Sequence, residues 1–173
     1  MLIRVLRDMA DVVRDGYQRL ILCLVHILPG RSDNLLTGPV RRLLLAAIGI
    51  STGSKTQVSP ALYILYPGRV TFGAGCRIGH GFKVWNFQPL KVGDNLLASH
   101  GISIICGTHL TDPQRTNVPG PVTIGTDVWI GANVTIVGPC VIGDGAIIGA
   151  NSFVTGTVDA GAVVGGSPAR KLR

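Results

Sequence analysis

The sequence predicts an all-β solenoid: short strands wound into stacked coils, with a helical arm at the N-terminus. Three observations predict it. Aliphatic side chains recur every six residues, at Phe72, Ile78 and Val84, then Val92, Ala98 and Ile104, and after a break at Ile124, Ile130, Ile136, Ile142, Ile148 and Val154. Glycine follows the aliphatic residue in Ile78-Gly79, Val92-Gly93, Ile124-Gly125, Ile130-Gly131, Ile142-Gly143 and Ile148-Gly149. Four residues after the aliphatic stands a small or modest side chain: Cys76, Ile102, Thr108, Val128, Val134, Cys140, Ala146 and Ser152. Each six-residue unit supplies one flat strand and one turn, and about three units close a triangular coil. The aliphatic side chain points inward. The small one points inward with less room, which makes Cys76 and Cys140 packing residues. Glycine in the turn supplies backbone conformations that other residues resist. Stacked coils bond to their neighbours, so stability accumulates along one axis.

Residues 1 to 50 have a different period and form the helical arm; residues 51 to 173 form the β domain, with the six-residue spacing plain from about residue 70. Leu2, Val5, Leu6, Met9, Val12, Val13, Tyr17, Leu20 and Leu24 fall at helical spacing, with Arg4, Arg7, Asp8, Asp11 and Arg14 on the other side. Pro29-Gly30 stops this helix. A second, short helix starts near Pro39 and ends before Gly49. The first helix packs on the protein or a neighbouring subunit; its amphipathic character also suits peripheral membrane contact. Its longest apolar run, Leu20 to Leu28, contains His26 and is too short to span a bilayer, which takes about 20 residues. Asp8, Asp11, Arg14 and Asp15 interrupt any secretory signal, so the expected location is cytoplasmic, extending to the inner membrane face.

Composition excludes several functions. All nine acidic residues are Asp, so no mechanism can rest on a Glu base. The formal net charge of +7 would suit nucleic acid, but the basic residues are scattered apart from Arg41-Arg42 and a C-terminal cluster of Arg170, Lys171 and Arg173. A small anionic ligand fits a cluster of that size better. The four cysteines form no CxxC pair, which gives zinc knuckles and redox motifs no support.

Three motifs carry a family likeness. The repeat breaks at Cys106-Gly107-Thr108-His109-Leu110-Thr111-Asp112, and an excursion over residues 107–121 follows until Pro121-Val122-Thr123-Ile124 restarts the prism. Val128-Trp129-Ile130-Gly131-Ala132 lies beyond it, and the chain ends near Val163-Val164-Gly165-Gly166-Ser167-Pro168-Ala169-Arg170. Over about residues 40 to 173 the chain resembles the left-handed β-helix O-acetyltransferases, which include maltose, galactoside and colanic-acid-type enzymes. The left hand is implied by the resemblance alone. So are an acetyl-CoA donor without a metal, a sugar or sugar-linked acceptor of surface-polysaccharide type (with an amine or a non-sugar alcohol as the alternative acceptor), and a homotrimer with sites between subunits.

The resemblance also implies roles. His109 would be the catalytic base, since an alcohol is a poor nucleophile and imidazole can take its proton in the transition state. Asp112 would orient it, or simply start a turn. Asn86 and Trp85, where the register slips by two residues, would face the acceptor, as would His100. Trp129, Ala132, Ala150 and Thr155 would lie along the coenzyme, and Arg170 and Arg173 would meet its phosphates. Gly156 stands where the family often has Lys. A zinc enzyme of the γ-carbonic-anhydrase type would instead need three imidazoles; His80, His100 and His109 supply that number at a spacing foreign to that family.

Overall fold

The computed structural model describes residues 2–27 and 37–172, and the side chains of residues 12–25 and 37–172. Helix α1 (Leu2–Ile27) and helix α2 (Thr37–Ala47) pack together. Ile21 and Val25 of α1 are buried in the same core as Leu45 of α2, and the Arg41 Nε donates to the Val25 carbonyl at 3.4 Å. The expected helix stop at Pro29-Gly30 lies outside the described residues.

From Ser51 onward the chain winds into six coils with three parallel faces. The first face stacks Ser51–Thr52, Val70–Phe72, Leu90–Val92, Val122–Ile124 and the C-terminal ends of Thr135–Ile142 and Phe153–Val158. The second stacks Gln57–Val58, Arg77–Ile78, Leu97–Ala98, Trp129–Ile130, Ile147–Ile148 and Val163–Gly165. The third stacks Tyr63–Ile64, Lys83–Trp85, Ser103–Ile105 and the first halves of the two long strands. The last strand, Arg170–Lys171, returns antiparallel on Val163–Gly165. Inward rows such as Ile78, Ala98, Ile130, Ile148 and Val164 are all buried, so the aliphatic period is the core.

Register reveals where coils differ in length. On the first face Thr52 pairs with Phe72, Phe72 with Val92, Val92 with Ile124, Ile124 with Ile142 and Ile142 with Val158, which are steps of 20, 20, 32, 18 and 16 residues. The extra residues sit at one corner, between the third face and the first: residues 65–69, 86–89 and 106–121. The two-residue slip at Trp85 to Pro89 is one instance.

The prism's first coil lies at residues 51–69, with Thr52, Val58 and Ile64 at six-residue spacing ahead of the plainer repeat from residue 70. Two expectations need correction. Thr108 is not an inward residue: it is exposed, and Cys106 takes the last buried place before the break. Of the glycines after the aliphatic residues, Gly79, Gly93, Gly125, Gly131 and Gly143 are there for room and not for a left-handed backbone. A Cβ on Gly131 would sit 2.6 Å from the Ala150 amide nitrogen, and one on Gly93 would sit 2.8 Å from the Gly125 carbonyl carbon. Left-handed conformations fall elsewhere in the turns, at Gly101 and Asn133 for example.

Candidate active site

At the break in the repeat the chain leaves the prism as a β-hairpin, Gly107–His109 against Asn117–Pro119, with Gly107 opposite Pro119 and His109 opposite Asn117. The tip between the strands is held by its own hydrogen bonds. The Asp112 carboxylate accepts from the Thr116 amide at 2.9 Å and from the Thr116 hydroxyl at 2.6 Å. The Asp112 carbonyl accepts from the Arg115 amide at 3.1 Å, and the Thr116 carbonyl accepts from the Leu110 amide at 2.8 Å. The Thr116 hydroxyl and amide hold the Asp112 carboxyl below its ordinary pKa. Thus fixed, the Arg115 carbonyl lies 2.7 Å from His109 Nδ1. A carbonyl only accepts, so Nδ1 carries the proton, and in the neutral ring Nε2 keeps a lone pair. Asp112 therefore makes no hydrogen bond to the imidazole; it shapes the loop that does.

His109 lines a cleft of about 540 Å³ together with Phe87, Gln88, Ile105, Asn117, Val137 and Phe153, among others. Four successive coils contribute: Phe87 and Gln88 from the second, Ile105 and the hairpin from the third, Val137 from the fourth and Phe153 from the fifth. Ile105 and Val137 are adjacent in register on the third face, each one residue past a buried aliphatic. These apolar outward positions were the available sequence signal for the cleft, since a fully solvated face would carry polar residues there.

The residues expected beside the acceptor separate. Asn86 is fully buried: its Nδ2 donates to the Tyr66 carbonyl at 2.7 Å and its Oδ1 accepts from the Tyr66 amide at 2.9 Å. Its amide pins the corner of the coil below and does not face the cleft, which corrects the acceptor role; its neighbours Phe87 and Gln88 line the cleft instead. Trp85 is half-buried on the third face, its ring 5.6 Å from that of Tyr63. His100 stacks at the corner between the second and third faces, where its carbonyl accepts from Asn133 and that of His80 accepts from Gly101. His80 and His100 thus occupy a different corner from the excursion that carries His109, so the three imidazoles do not form one ligand set. Among the described residues no cluster of three or more His, Cys or Asp side chains could hold a metal.

Of the residues expected along the coenzyme, Thr155 and Arg170 share a second cavity of about 170 Å³ with Ala169 and Lys171. Phe153 links the two cavities. It lines the first, its carbonyl accepts from the Ala169 amide at 2.8 Å, and Val154-Thr155 line the second. Arg170 is exposed, with Nη1 donating to the Ala169 carbonyl at 2.9 Å. Ala132 and Ala150 stack at the corner of His100, joined by the Asn151 amide donating to the Ala132 carbonyl. Trp129 is 50% exposed on the second face. Arg173 lies outside the described residues. The three cysteines of the prism are buried packing residues: burial pushes the Cys106 thiol up to about 12 and Cys140 to about 11, and raises Cys76.

Comparison with known proteins agrees with this architecture. The family described as "Bacterial transferase hexapeptide (six repeats)" matches residues 121–156. A Dictyostelium discoideum protein named for acetyltransferase activity is 31% identical over 154 residues, covering 87% of this chain and 79% of its own. The galactoside O-acetyltransferase of Escherichia coli (strain K12) is 28% identical over 137 residues, covering 77% and 68%. A hexapeptide-repeat-containing acetyltransferase from Vibrio cholerae superposes with a TM-score of 0.81 at 26% identity, covering 94% of this chain and 90% of its own. A second structure of that Vibrio protein, at 24% identity and a TM-score of 0.78 with 93% and 86% covered, holds acetyl coenzyme A. The six-coil prism with its two N-terminal helices matches the left-handed β-helix acetyltransferases, and the chain belongs to the hexapeptide-repeat acetyltransferase family.

Proposed function

We propose that this enzyme moves the acetyl group of acetyl-CoA to a sugar hydroxyl, with His109 as general base. The observation that carries this reading is the Nδ1–H bond to the Arg115 carbonyl, which leaves Nε2 as the free basic atom in an apolar cleft. The acceptor hydroxyl oxygen attacks the thioester carbonyl carbon while Nε2 takes its proton. The tetrahedral adduct then breaks its C–S bond, and the thiolate recovers the proton from the imidazolium. The products are an acetyl ester and free CoA, and no acyl-enzyme is required. Gln88 and Asn117 offer amides to sugar hydroxyls, and the exposed ring of Phe87 offers an apolar platform.

The donor side rests on the second cavity. The Arg170 guanidinium spends one N–H on Ala169 and has others for the nucleotide phosphates, with Thr155 beside it. Trp129, Ala132 and Ala150 lie outside both cavities of the one chain, which supports a homotrimer in which a neighbour supplies them. Four free cysteines support a reducing, cytoplasmic setting, and no helix among the described residues is long and apolar enough to cross a membrane. Exposed Val12, Val13 and Leu20 on α1 keep peripheral membrane contact and a surface-polysaccharide acceptor within this reading.

Replacing His109 by Ala should lower kcat by about 10² to 10⁴ with calorimetric acetyl-CoA affinity unchanged. Full turnover in that variant would sink the base assignment. Arg170→Ala should weaken acetyl-CoA binding with the imidazole untouched.

A further inference from the structure

The chain has two Trp, three Tyr and four Phe. Phe72 and Phe82 fill the interior of the prism. Four of the others, Tyr63, Tyr66, Trp85 and Phe87, collect on the first two coils, directly below the His109 cleft. They form two pairs. Tyr66 and Phe87 stand edge to face at the corner with centroids 6.1 Å apart, and Tyr63 and Trp85 tilt together on the third face at 5.6 Å. Phe87 belongs to both the cleft and the strip, and Trp85 pairs in register with Ile105, which also lines the cleft. The rings are open to solvent: Tyr63 is 43% exposed, Tyr66 39% and Phe87 52%.

The strip is also held in place. Arg69 lies over the Tyr66 ring, 5.2 Å from its centroid, and its Nη1 donates to the Phe87 carbonyl. The buried Asn86 amide clamps the Tyr66 main chain from beneath. Neighbouring coils are about 4.8 Å apart, so Tyr63 and Tyr66 carry flat apolar surface about 5 Å past the cleft. Rings held this way lose little freedom on binding, which suits weak, repeated stacking contacts.

We propose that this strip is the outer part of the acceptor site, and that the acceptor is an oligosaccharide. Its terminal unit enters the His109 cleft, and the following units lay their C–H faces on Phe87 and Tyr66. A nucleotide-linked sugar is the less favoured occupant, because its pyrophosphate needs cations. Arg69 is already engaged with Phe87 and Tyr66, which leaves Lys83 as the other cation facing out from this strand column on those coils.

The assignment borrows its acceptor chemistry from the acetyl-transfer reading, so its test measures binding without acetyl-CoA. Maltotetraose, cellotetraose and β-1,4-galactotetraose are titrated calorimetrically into the full chain against glucose, galactose and UDP-glucose. At least one tetrasaccharide should bind about tenfold more tightly than its own monosaccharide. Tyr66→Ala should erase that advantage at unchanged oligomer mass, and Tyr66→Phe should restore it. Equal affinities for long and short sugars would overturn the proposal, as would UDP-glucose binding more tightly than every tetrasaccharide. A Tyr66→Ala protein of altered oligomer mass would overturn it too, by making the strip a subunit contact. Loss of turnover in His109→Ala with the length preference intact would separate the two readings.

Discussion

The first three coils and the last three share one inward pattern and differ at one corner. Around the first face the early steps are 20, 20 and 32 residues, and the later ones 18 and 16. Every surplus residue of the early coils falls between the third face and the first. That corner carries Tyr66, the Asn86 clamp, Phe87 and the hairpin of His109. The late coils are near the minimum that closes a triangle, and there the chain has little left over for chemistry. A solenoid can lengthen any coil at a corner without disturbing its stack, because each coil bonds only to its neighbours. Regular coils supply rigidity, and irregular ones carry the side chains of the candidate site.

The sharpest way to break this contrast is to remove the irregularity. Excising residues 108–118 and joining Gly107 to Pro119 through a short turn should lower acetyl transfer by about 10² to 10⁴. The urea midpoint should stay close to wild type, because the tip is exposed and loop length is cheap in free energy. A collapse in stability would show the hairpin to be part of the stack.

The next effect lies in the regular coils. Gly131→Ala drives a methyl into the backbone of the coil above, and should cost about 1–3 kcal/mol in urea unfolding. Gly156→Ala, at a corner with open space but φ of +73, should cost about 1 kcal/mol. Equal losses would mean that the clash with the neighbouring coil costs no more than the positive φ.

Smaller still is the contribution of the hairpin tip. Asp112→Asn should lower kcat severalfold through the Arg115 carbonyl, leaving acetyl-CoA affinity intact. The carboxyl of Asp112 is lowered by its Thr116 bonds, so its ordering effect is complete above the ordinary Asp pKa of about 3.9 and fades as pH falls through the lower folded value. The protection of the Thr116 amide against exchange, taken relative to the intrinsic rate at each pH and followed from pH 6 downward, should fall only in that acid range; a fall near neutrality would assign the order to another group. The smallest effect concerns thiols. With Cys76, Cys106 and Cys140 buried and raised in pKa, native protein at pH 8 should titrate Cys23 alone with a thiol reagent, and all four cysteines once unfolded. Reaction at a second thiol would reveal an open coil.

The stack was legible in the sequence, and so was the place where it breaks, because a six-residue period from Ile124 to Val154 leaves few other ways to bury those side chains. The first coil, inside the expected 51–173 domain, showed the period less plainly because Thr52 stands where an aliphatic residue would. Glycine was placed correctly for a reason that proved incomplete: period marks a glycine, but only the neighbouring coil shows that Gly131 avoids a clash. At the site, His109 stood out by lying at the break. Asn86 misled because an amide in an irregular turn reads the same whether it faces solvent or the main chain of Tyr66. The cleft walls at Ile105, Val137 and Phe153 needed the fold, since they meet only across three coils that are far apart in sequence.

The division of the cleft among coils has an evolutionary consequence. The Phe87 end and the Arg170 end belong to opposite halves of a stack whose interfaces are purely local. Duplication, exchange or erosion of an N-terminal coil can therefore reshape the Phe87 end of the cleft without touching the Arg170 end. Only the spacing between Phe87 and Phe153 is constrained in both directions, so coil number should vary among relatives outside that segment and be fixed within it.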